Sequence, residues 1–362
     1  MESVWINGIR YYPEEYLIAS KQVSSLPDFE KSVITFILDW KSGKERFELK
    51  SSGSTGVPKH ISLYRNQLIA SAKSTLDYLS ITGGGRSLLC LDPRHIAGLM
   101  MIVRSLVGEM DLYAVSPSAN PLLKHNFDPA IDLAAFVPYQ VVEILNHDTS
   151  LKRFHKLRNI LIGGADIATA MVRKLSGSTS RVYHTFGMTE TVSHIALKSM
   201  IGVGQNNPYE VMPGIHIGQD ERGCLTVTGE VTRGEQIITN DLVEIIDKGK
   251  FRWLGRIDQV VNTGGIKVNL NALETRIREI LEAEGYAFNF IVDHMANEKL
   301  GRQIIFIAES TDVSIDHTWI RNILKESIDR YEIPKKVFRI KQFPRTKTGK
   351  VNRLDILRNI SD

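Results

Sequence analysis

The hydrophobic positions from about residue 61 onward predict helices and strands in alternation. In "ISLYRNQLIASAKSTLDYLSI" apolar side chains recur at helical spacing, and a second, apolar helix is predicted from about Ile96 to Val107. Short apolar runs typical of buried strands accompany them: "RSLLCLD", "DLYAVSP", "LAAFVP", "NILIGGAD" and "RVYHTF". This alternation predicts a mostly parallel sheet covered by helices, with ligands bound at the carboxyl ends of the strands.

The pattern changes past about residue 210, where short strands separated by turns predict antiparallel hairpins. A last section begins near Asp258, with helices at about Leu270 to Leu281 and Ile315 to Ile328 and two strands between them. At 362 residues the chain exceeds one typical core. We therefore predict an α/β protein with two domains. Residues 1–257 would form a large N-terminal domain of mixed and parallel sheets covered by helices, with a small antiparallel β section, and residues 258–362 a small α+β domain.

The composition and charge are typical of a globular protein without a nucleic-acid or membrane partner. A hydrophobic fraction of 43% with 24% charged residues excludes disorder, and the net charge of +4 is small for this length. The N-terminus has no signal-peptide pattern and no apolar run approaches a membrane span, so we expect a cytoplasmic protein. Cys90 and Cys224 each lie in an apolar run, which favours buried free thiols over a disulfide or a metal site.

The stretch "LKSSGSTGVPKHISL" is rich in serine, threonine and glycine ahead of Lys59. Glycines allow sharp turns, and backbone N–H groups, hydroxyls and a lysine can then converge on phosphate oxygens. The common nucleotide-triphosphatase loop G-x-x-x-x-G-K-[ST] does not fit, because Pro58 and His60 stand where its second glycine and its hydroxyl residue belong. From these residues alone, a phosphate loop and a Ser/Gly-rich surface hairpin remain open.

Segments spread from residue 51 to residue 350 resemble, in the right order, the motifs of the adenylate-forming superfamily. "SSGSTGVPK" resembles its phosphate loop, and "FGMTE" its aromatic-Gly-x-Thr-Glu motif. "TNDLVEI" with "FRWLGRIDQ" resembles its Asp and Gly-Arg-x-Asp segment, and "PRTKTGK" its C-terminal lysine motif. Phe186 stands where tyrosine is more usual, and Asn240 where glycine is. The resemblance implies an enzyme that activates a carboxylate with ATP as an acyl-adenylate and then transfers the acyl group to a thiol.

The same resemblance implies which residues bind ATP. Glu190 would coordinate Mg²⁺, and Thr189 would contact the α-phosphate. The remaining residues are Ser52, Gly53, Ser54, Thr55, Gly56 and Lys59 for the β- and γ-phosphates, Gly163, Gly164, Ala165, Phe186 and Gly187 for adenine, and Asp241 and Arg256 for the ribose. Each of these residue types has an ordinary role in turns or surface ion pairs when it occurs alone.

A mobile C-terminal domain is also implied by the resemblance. Lys350 would contact the carboxylate and the α-phosphate during adenylation, and the domain would then rotate about a hinge at Asp258 for thioester formation. The turn with Gly264, Gly265 and Lys267 would line the tunnel for the thiol of CoA.

The part before the phosphate loop is only about 50 residues long, and with this short N-terminal part the chain most resembles the o-succinylbenzoate–CoA ligases of menaquinone biosynthesis. "RHIAGLMMIVR" is similar to their His-x-x-Gly segment followed by an arginine, here His95 and Arg104, and "TETVSHI" supplies Thr191 and Ser193. Arg104 closes an apolar run, and a buried arginine needs an anionic partner, which is either the substrate or a structural group. A ligase for another acid, an enzyme that loads a carrier protein, and a nucleotide-binding relative without catalysis remain alternatives. A homo-oligomer also stays open.

Overall fold

The computed structural model describes residues 3–16, 23–50, 60–123, 130–164, 174–175, 179–201, 207–345 and 351–361. The chain divides into two compact units. The first comprises Met1–Gly218, Thr226–Ile238 and Ile245–Arg252, and the second Gln219–Leu225, Thr239–Glu244 and Trp253–Asp362. The domain boundary at residues 257 and 258 stays a prediction. Within the described ranges, no helix is both long and apolar enough to cross a membrane.

The α-helices of the described residues lie in both units of the chain. They are α1 (Asp28–Lys41), α2 (Arg65–Tyr78), α3 (Ile96–Val107), α4 (Pro138–Leu145), α5 (Asp148–Phe154), α6 (Leu270–Ala283), α7 (His317–Leu324) and α8 (Arg353–Ser361). Single 3-10 turns lie at Pro13–Tyr16, Thr189–Thr191, Glu230–Thr232 and Ile257–Gln259.

Most strands are short. They are β1 (Val4–Ile6), β2 (Ile9–Tyr11), β3 (Arg46–Lys50), β4 (His60–Tyr64), β5 (Arg86–Leu89), β6 (Asp111–Ala114), β7 (Leu133–Phe136), β8 (Asn159–Ile162), β9 (Arg181–Gly187), β10 (His194–Ser199), β11 (Tyr209–Val211), β12 (Ile215–Gln219), β13 (Cys224–Gly229), β14 (Ile237–Asp247), β15 (Lys250–Arg256), β16 (Val260–Thr263), β17 (Ile266–Asn269), β18 (Phe290–Asn297), β19 (Gly301–Glu309) and β20 (Lys336–Ile340).

One large mixed sheet has the strand order β12-β13-β14-β15-β11-β10-β9-β8-β7-β5-β6-β1-β2. The run from β9 through β8, β7, β5 and β6 to β1 is parallel throughout. The pairs of β9 with β10, β10 with β11, and β11 with β15 are antiparallel. The predicted α/β class, with a parallel section followed by antiparallel hairpins, is therefore confirmed.

Two predicted helices differ from the structure. The segment from Ile61 begins as strand β4, which pairs with β3, and the helix starts only at Arg65. A partner strand is a non-local feature that apolar spacing does not reveal. The helix expected at about residues 315–328 is shorter, since the Asp316 side chain accepts a hydrogen bond from the Trp319 N–H and caps the start of α7.

Each unit has its own apolar core. In the first unit, side chains from the parallel strands, among them Leu88, Phe136 and Ile160, are fully buried in one cluster. In the second unit, β17-β16-β19-β18 and β20 form a separate sheet, in which Phe290 and Phe306 stack with ring centroids 4.8 Å apart. Cys90 and Cys224 are buried free thiols, as predicted.

Candidate active site

The turn between β9 and β10 carries several predicted site residues. The 3-10 turn Thr189–Thr191 places Glu190 at an exposed position, without a hydrogen bond or ion pair to any other described residue. Thr189 is half-buried beside it. The Thr191 hydroxyl accepts from the Met188 N–H (3.2 Å) and lies 3.0 Å from the Ser193 carbonyl oxygen. Among the described residues the turn therefore presents a free carboxylate, and the fully buried Thr191 hydroxyl is bonded to the backbone of the turn.

This turn is unusually tight at both of its ends. A Cβ on Gly187 would lie 2.1 Å from the Ser193 carbonyl oxygen, so only glycine fits there. Val192 has φ of 66° and ψ of −52°, and the Ser193 N–H donates to the Thr191 carbonyl at 2.8 Å. This geometry is a γ-turn of the strained kind, which is costly for a β-branched residue. The strain fixes the direction of the chain between Glu190 and Ser193.

The predicted adenine residues lie at the carboxyl ends of β8 and β9, which are neighbouring parallel strands. Phe186 is half-buried, and its ring centroid lies 5.1 Å from that of Phe251 and 5.3 Å from that of Tyr209. A Cβ on Gly163 would come within 2.2 Å of the Thr185 hydroxyl oxygen. Gly164 adopts a positive φ of 93°, which L side chains avoid. This edge of the sheet therefore offers an aromatic ring and backbone that a ligand can approach closely. In sheets of this kind, ligands bind at the carboxyl ends of the strands.

Arg104 on α3 is 2% exposed and has only neutral partners among the described residues. Its Nε donates to the Thr75 hydroxyl at 3.2 Å, and its Nη2 donates to the Ser193 hydroxyl at 3.1 Å and faces His194 Nδ1 at 3.4 Å. Burial lowers the pKa of Arg104 to about 9, and burial together with the Arg104 charge holds the pKa of His194 well below its usual range. The site therefore contains a buried cation that no described carboxylate neutralises.

His95 lies apart from Arg104. It is the exposed residue immediately before α3, and the separation of nine positions between the two corresponds to roughly 13 Å of helix. A Cβ on Gly98 would lie 2.4 Å from the Asp92 carbonyl oxygen, so the start of α3 packs closely on the preceding loop. The structure does not bring His95 into the cluster of side chains around Arg104.

Other predicted site residues lie in the second unit. Asp241 is buried and accepts a hydrogen bond from Trp253 Nε1 at 2.9 Å, and burial raises the pKa of its carboxyl. Arg256 forms a two-point ion pair with Asp258, and this guanidinium lowers the pKa of the Asp258 carboxyl.

The glycine turn of the second unit joins β16 to β17. Gly264 and Gly265 both have positive φ, and the Asn262 side chain accepts from the Gly265 N–H at 2.9 Å. Lys267 is exposed on β17. An open groove beside this turn is also lined by Lys299 and Arg302. The geometry is that of a two-residue hairpin turn with a basic flank.

Several predictions concern residues outside the described ranges. These are Ser52, Gly53, Ser54, Thr55, Gly56, Lys59, Ala165 and Lys350. The described residues contain no group of three or more His, Cys, Asp or Glu side chains that could hold a metal. A free single carboxylate such as Glu190 instead suits Mg²⁺ that is shared with substrate phosphates.

The comparison with protein families decides the class. The model of the AMP-binding enzyme family matches residues 51–235, just over half of the chain. The chain belongs to this family. The predictions of an adenylate-forming enzyme of the acid–CoA ligase class, with ATP, Mg²⁺ and CoA as its cofactors and co-substrate, are thereby confirmed at the level of the class.

The individual proteins that the chain resembles in sequence have low identity to it. The chain is 24% identical over 326 residues to a 2-succinylbenzoate–CoA ligase of Staphylococcus epidermidis, covering 84% of this chain and 67% of that protein. It is 24% identical over 310 residues to a 3,4-dihydroxybenzoate–[aryl-carrier protein] ligase of Bacillus anthracis, covering 84% of this chain and 71% of that protein.

Solved structures share the fold. An acyl-CoA synthetase (AMP-forming)/AMP-acid ligase II-like protein from Dyadobacter fermentans is 34% identical, with a TM-score of 0.62, covering 93% of this chain and 97% of that one. The o-succinylbenzoate coenzyme A synthetase from Bacillus subtilis, solved with ATP and magnesium ion, is 19% identical with a TM-score of 0.69, covering 86% and 69%. At that identity the second likeness concerns the fold alone.

The sequence reasoning missed Thr75 and His194. His194 follows Ser193 directly and lies inside the quoted "TETVSHI" segment, but nothing in the segment marks it as a partner of Arg104. Thr75 is a polar residue on the buried face of α2, between Ala72 and Leu76. A buried hydroxyl at that spacing was the available signal, because such groups need hydrogen-bond partners.

Proposed function

We propose that the chain is an ATP-dependent acid–CoA ligase whose substrate carries a second carboxylate, most specifically o-succinylbenzoate. The products are o-succinylbenzoyl-CoA, AMP and diphosphate. The name of the Staphylococcus epidermidis relative supports this substrate, as do the His95, Arg104, Thr191 and Ser193 matches of the sequence. The observation that carries the proposal is the buried, unneutralised guanidinium of Arg104.

The physical argument concerns the charge of Arg104. Desolvation of a cation costs several kcal/mol, and a protein recovers this cost only when an anion and hydrogen bonds compensate. The described partners of Arg104 provide hydrogen bonds but no negative charge. In o-succinylbenzoate the succinyl carboxylate is activated, whereas the benzoate carboxylate stays ionised throughout. That carboxylate supplies the missing charge, directly or through water.

In the first half-reaction, an oxygen of the succinyl carboxylate attacks the α-phosphorus of ATP, and the bond to the β-phosphate breaks to release diphosphate. Glu190 would hold Mg²⁺, which neutralises phosphate charge when it is bound. Thr189, Lys59 and Lys350 would position the α-phosphate and the leaving group, with Ser52, Ser54 and Thr55 on the phosphate loop. Catalysis therefore rests on placement and positive charge rather than on a covalent enzyme intermediate.

In the second half-reaction, the sulfur of CoA attacks the acyl carbon, the bond to AMP breaks, and the thiol proton passes to solvent. We assign the hinge to Asp258 and the thiol passage to the Gly264–Gly265 turn with Lys267. The positive φ of both glycines supports this assignment, because the turn exposes backbone that a thiol arm can approach closely.

An acceptor of a different class is favoured by the Bacillus anthracis relative, whose name specifies an aryl-carrier protein. A carrier protein presents the same type of thiol as CoA on a larger body. The mass of the thioester product distinguishes the two acceptors.

The test is a panel of carboxylic acids incubated with ATP, Mg²⁺ and CoA, read by diphosphate release and product mass. We expect o-succinylbenzoate to give the highest kcat/KM and a CoA thioester. Turnover of a simple monocarboxylic acid in preference would contradict the substrate and leave the ligase class intact. Diphosphate release without CoA thioester would instead favour the carrier protein.

A further inference from the structure

The hydrogen bonds that join Arg104, Thr75 and His194 give each atom a consistent role as donor or acceptor. The Arg104 Nε–H and the His194 Nε2–H both reach the Thr75 hydroxyl oxygen, at 3.2 and 3.0 Å. The Thr75 hydroxyl donates in turn to the Ser71 carbonyl oxygen at 3.0 Å. Thr75 therefore accepts two hydrogen bonds and donates one, the full capacity of its hydroxyl.

This pattern assigns the tautomer of His194. Because Nε2 donates to Thr75, the Nδ1 of a neutral imidazole carries the lone pair, and Arg104 Nη2 lies 3.4 Å from it. A protonated imidazole would direct a second N–H at the guanidinium, beside a charge of the same sign. The burial of the ring and the adjacent Arg104 charge both lower the pKa of His194, in agreement with a neutral ring.

The side chains of Thr75, Ser193 and His194 form a shell around Arg104 that differs from the usual surroundings of a buried arginine. A carboxylate is the ordinary partner, and it would orient the guanidinium and cancel its charge together. Within the part of the chain that the structure describes, the oxygen and nitrogen atoms that contact Arg104 belong to Thr75, Ser193 and His194, all neutral. The shell fixes the plane of the guanidinium and leaves its charge in place.

We propose that His194 and Thr75 are positioning residues that orient the Arg104 guanidinium without neutralising it, so that its charge remains available to the second carboxylate of the acid substrate. This inference rests on the function proposed above. It adds that the neutrality of position 194 determines specificity: a negative charge there would act as an internal substitute for the carboxylate of the substrate.

The open side of the shell lies at Ser193 and Arg104 Nη1. Ser193 is half-buried, and its hydroxyl oxygen accepts from Arg104 Nη2. Among the described residues no acceptor takes the Ser193 hydroxyl hydrogen, and Arg104 Nη1 has only the Met101 sulfur, at 3.9 Å. A carboxylate that arrives at Ser193 therefore meets an O–H polarised by the guanidinium, together with a free N–H.

The test compares His194→Asn with His194→Asp. These side chains have the same size, and each places an oxygen near the present position of Nδ1, so they differ chiefly in charge. The readout is the ratio of kcat/KM for o-succinylbenzoate to that for 4-oxo-4-phenylbutanoate, which lacks the ring carboxylate. We expect a wild-type ratio of ~30 or more, since stranding a buried charge costs that order of discrimination.

In His194→Asn we expect the ratio to stay within a few-fold of wild type. In His194→Asp the ratio should fall toward one, through a raised KM for o-succinylbenzoate, while the KM for ATP is unchanged. Equal ratios in the two variants overturn the inference. A wild-type ratio near one overturns the proposed substrate as well, so the two failures are distinguishable.

A second matched pair keeps the test decisive if His194→Asp does not fold. Ser193→Asn and Ser193→Asp change the neighbouring contact of Arg104 Nη2 from the half-buried side, where a carboxylate is easier to accommodate. Both variants remove the Ser193 O–H that faces the incoming carboxylate, so they are compared with each other: the aspartate variant should lose much more of the preference for the ring carboxylate than the asparagine variant. If the two Ser193 variants lose that preference equally, a neutral shell is not what preserves the charge for the substrate.

Discussion

The guanidinium of Arg256 binds both carboxylate oxygens of Asp258, with Nε 3.0 Å from Oδ1 and Nη2 2.7 Å from Oδ2. The pair links Arg256, which immediately precedes the 3-10 turn Ile257–Gln259, to Asp258 within that turn, and it joins two residues with different predicted roles, the ribose contact and the hinge. The pair occupies Nε and Nη2, so Nη1 is the nitrogen left for a ribose hydroxyl. The ion pair therefore ties the conformation of the proposed hinge turn to the orientation of the side chain that we propose as the ribose contact.

The hinge assignment predicts different effects for two substitutions of Asp258. Asp258→Pro fixes φ and restricts Ile257 as well, so it should trap one arrangement of the chain. We expect diphosphate release to survive and thioester formation from supplied acyl-adenylate to fall steeply. Asp258→Ala removes only the ion pair, which is half-exposed and worth about 1 kcal/mol or less, and should affect neither step strongly. Identical rates in the two variants would place the hinge elsewhere.

We expect that replacing the Asp241 carboxylate weakens ATP binding without lowering the stability of the fold. Burial raises its pKa, so the ionised form is disfavoured in the folded state. The resulting loss of stability is present at pH 7 and is recovered as the pH falls through the raised folded pKa. Asp241→Asn should therefore leave the Tm at pH 7 unchanged or higher, with the difference from wild type shrinking as the pH is lowered toward 4. The KM for ATP should rise at least about tenfold, since Asp241 is the proposed charged acceptor for the ribose hydroxyls.

The exposed Asp247 on the same strand provides the control for this prediction. Asp247→Asn should change neither the Tm nor the KM for ATP, because its oxygen still accepts from the Gly249 N–H. A lower Tm for Asp241→Asn at pH 7 would show that the carboxylate stabilises the fold instead.

The γ-turn at Val192 predicts that glycine is more stable than alanine at this position, the reverse of the usual order. At an ordinary buried position alanine is more stable than glycine by roughly 0.5–1 kcal/mol, because glycine loses more backbone entropy. At Val192 the positive φ penalises alanine but not glycine, and the strain is of order 1–3 kcal/mol. We therefore expect Val192→Gly to unfold at higher denaturant concentration than Val192→Ala. The buried Val182 on β9 should show the normal order, and the normal order at both sites would refute the strained turn.

Much of the fold was predictable because the relevant signals are local. The strand β5, the helix α3 and the strands β6 to β9 follow from short apolar runs bounded by turns, and their bounds agree closely with the pattern. The apolar pattern does not reveal strand β4, since its apolar residues are too few to show a period and its partner β3 lies elsewhere along the chain. The pattern also predicts too long a helix α7, because apolar residues continue past its end at Leu324.

The candidate site was predictable only in part. Glu190, Phe186 and Asp241 are proposed as site residues from their motifs, and Arg104 from its place in an apolar run. The shell of Arg104 was not found, because Thr75 and His194 lie 29 and 90 residues away from it along the chain. Which side chains surround a buried charge depends on the packing of α2, α3 and β10, and single-sequence periodicity carries no information on that packing.

Arg104 gives the sharpest test of the proposed substrate. Arg104→Ala should reduce kcat/KM for o-succinylbenzoate ~30- to 1000-fold, because the ring carboxylate is then buried without a cation. This factor corresponds to a loss of about 2–4 kcal/mol in transition-state stabilisation. The loss should largely vanish with 4-oxo-4-phenylbutanoate, which has no charge at that place.

Arg104→Lys is the matched control, because it keeps the positive charge and changes the geometry of the N–H donors. An ammonium cannot reproduce the planar set of N–H donors that reaches Thr75, Ser193 and His194, so only partial recovery is expected. The KM for ATP reports whether the fold of the first unit is intact in each variant. If Arg104→Ala weakens both acids equally while that KM is unchanged, the guanidinium supports the structure of the pocket, and the second carboxylate must find its counter-charge elsewhere.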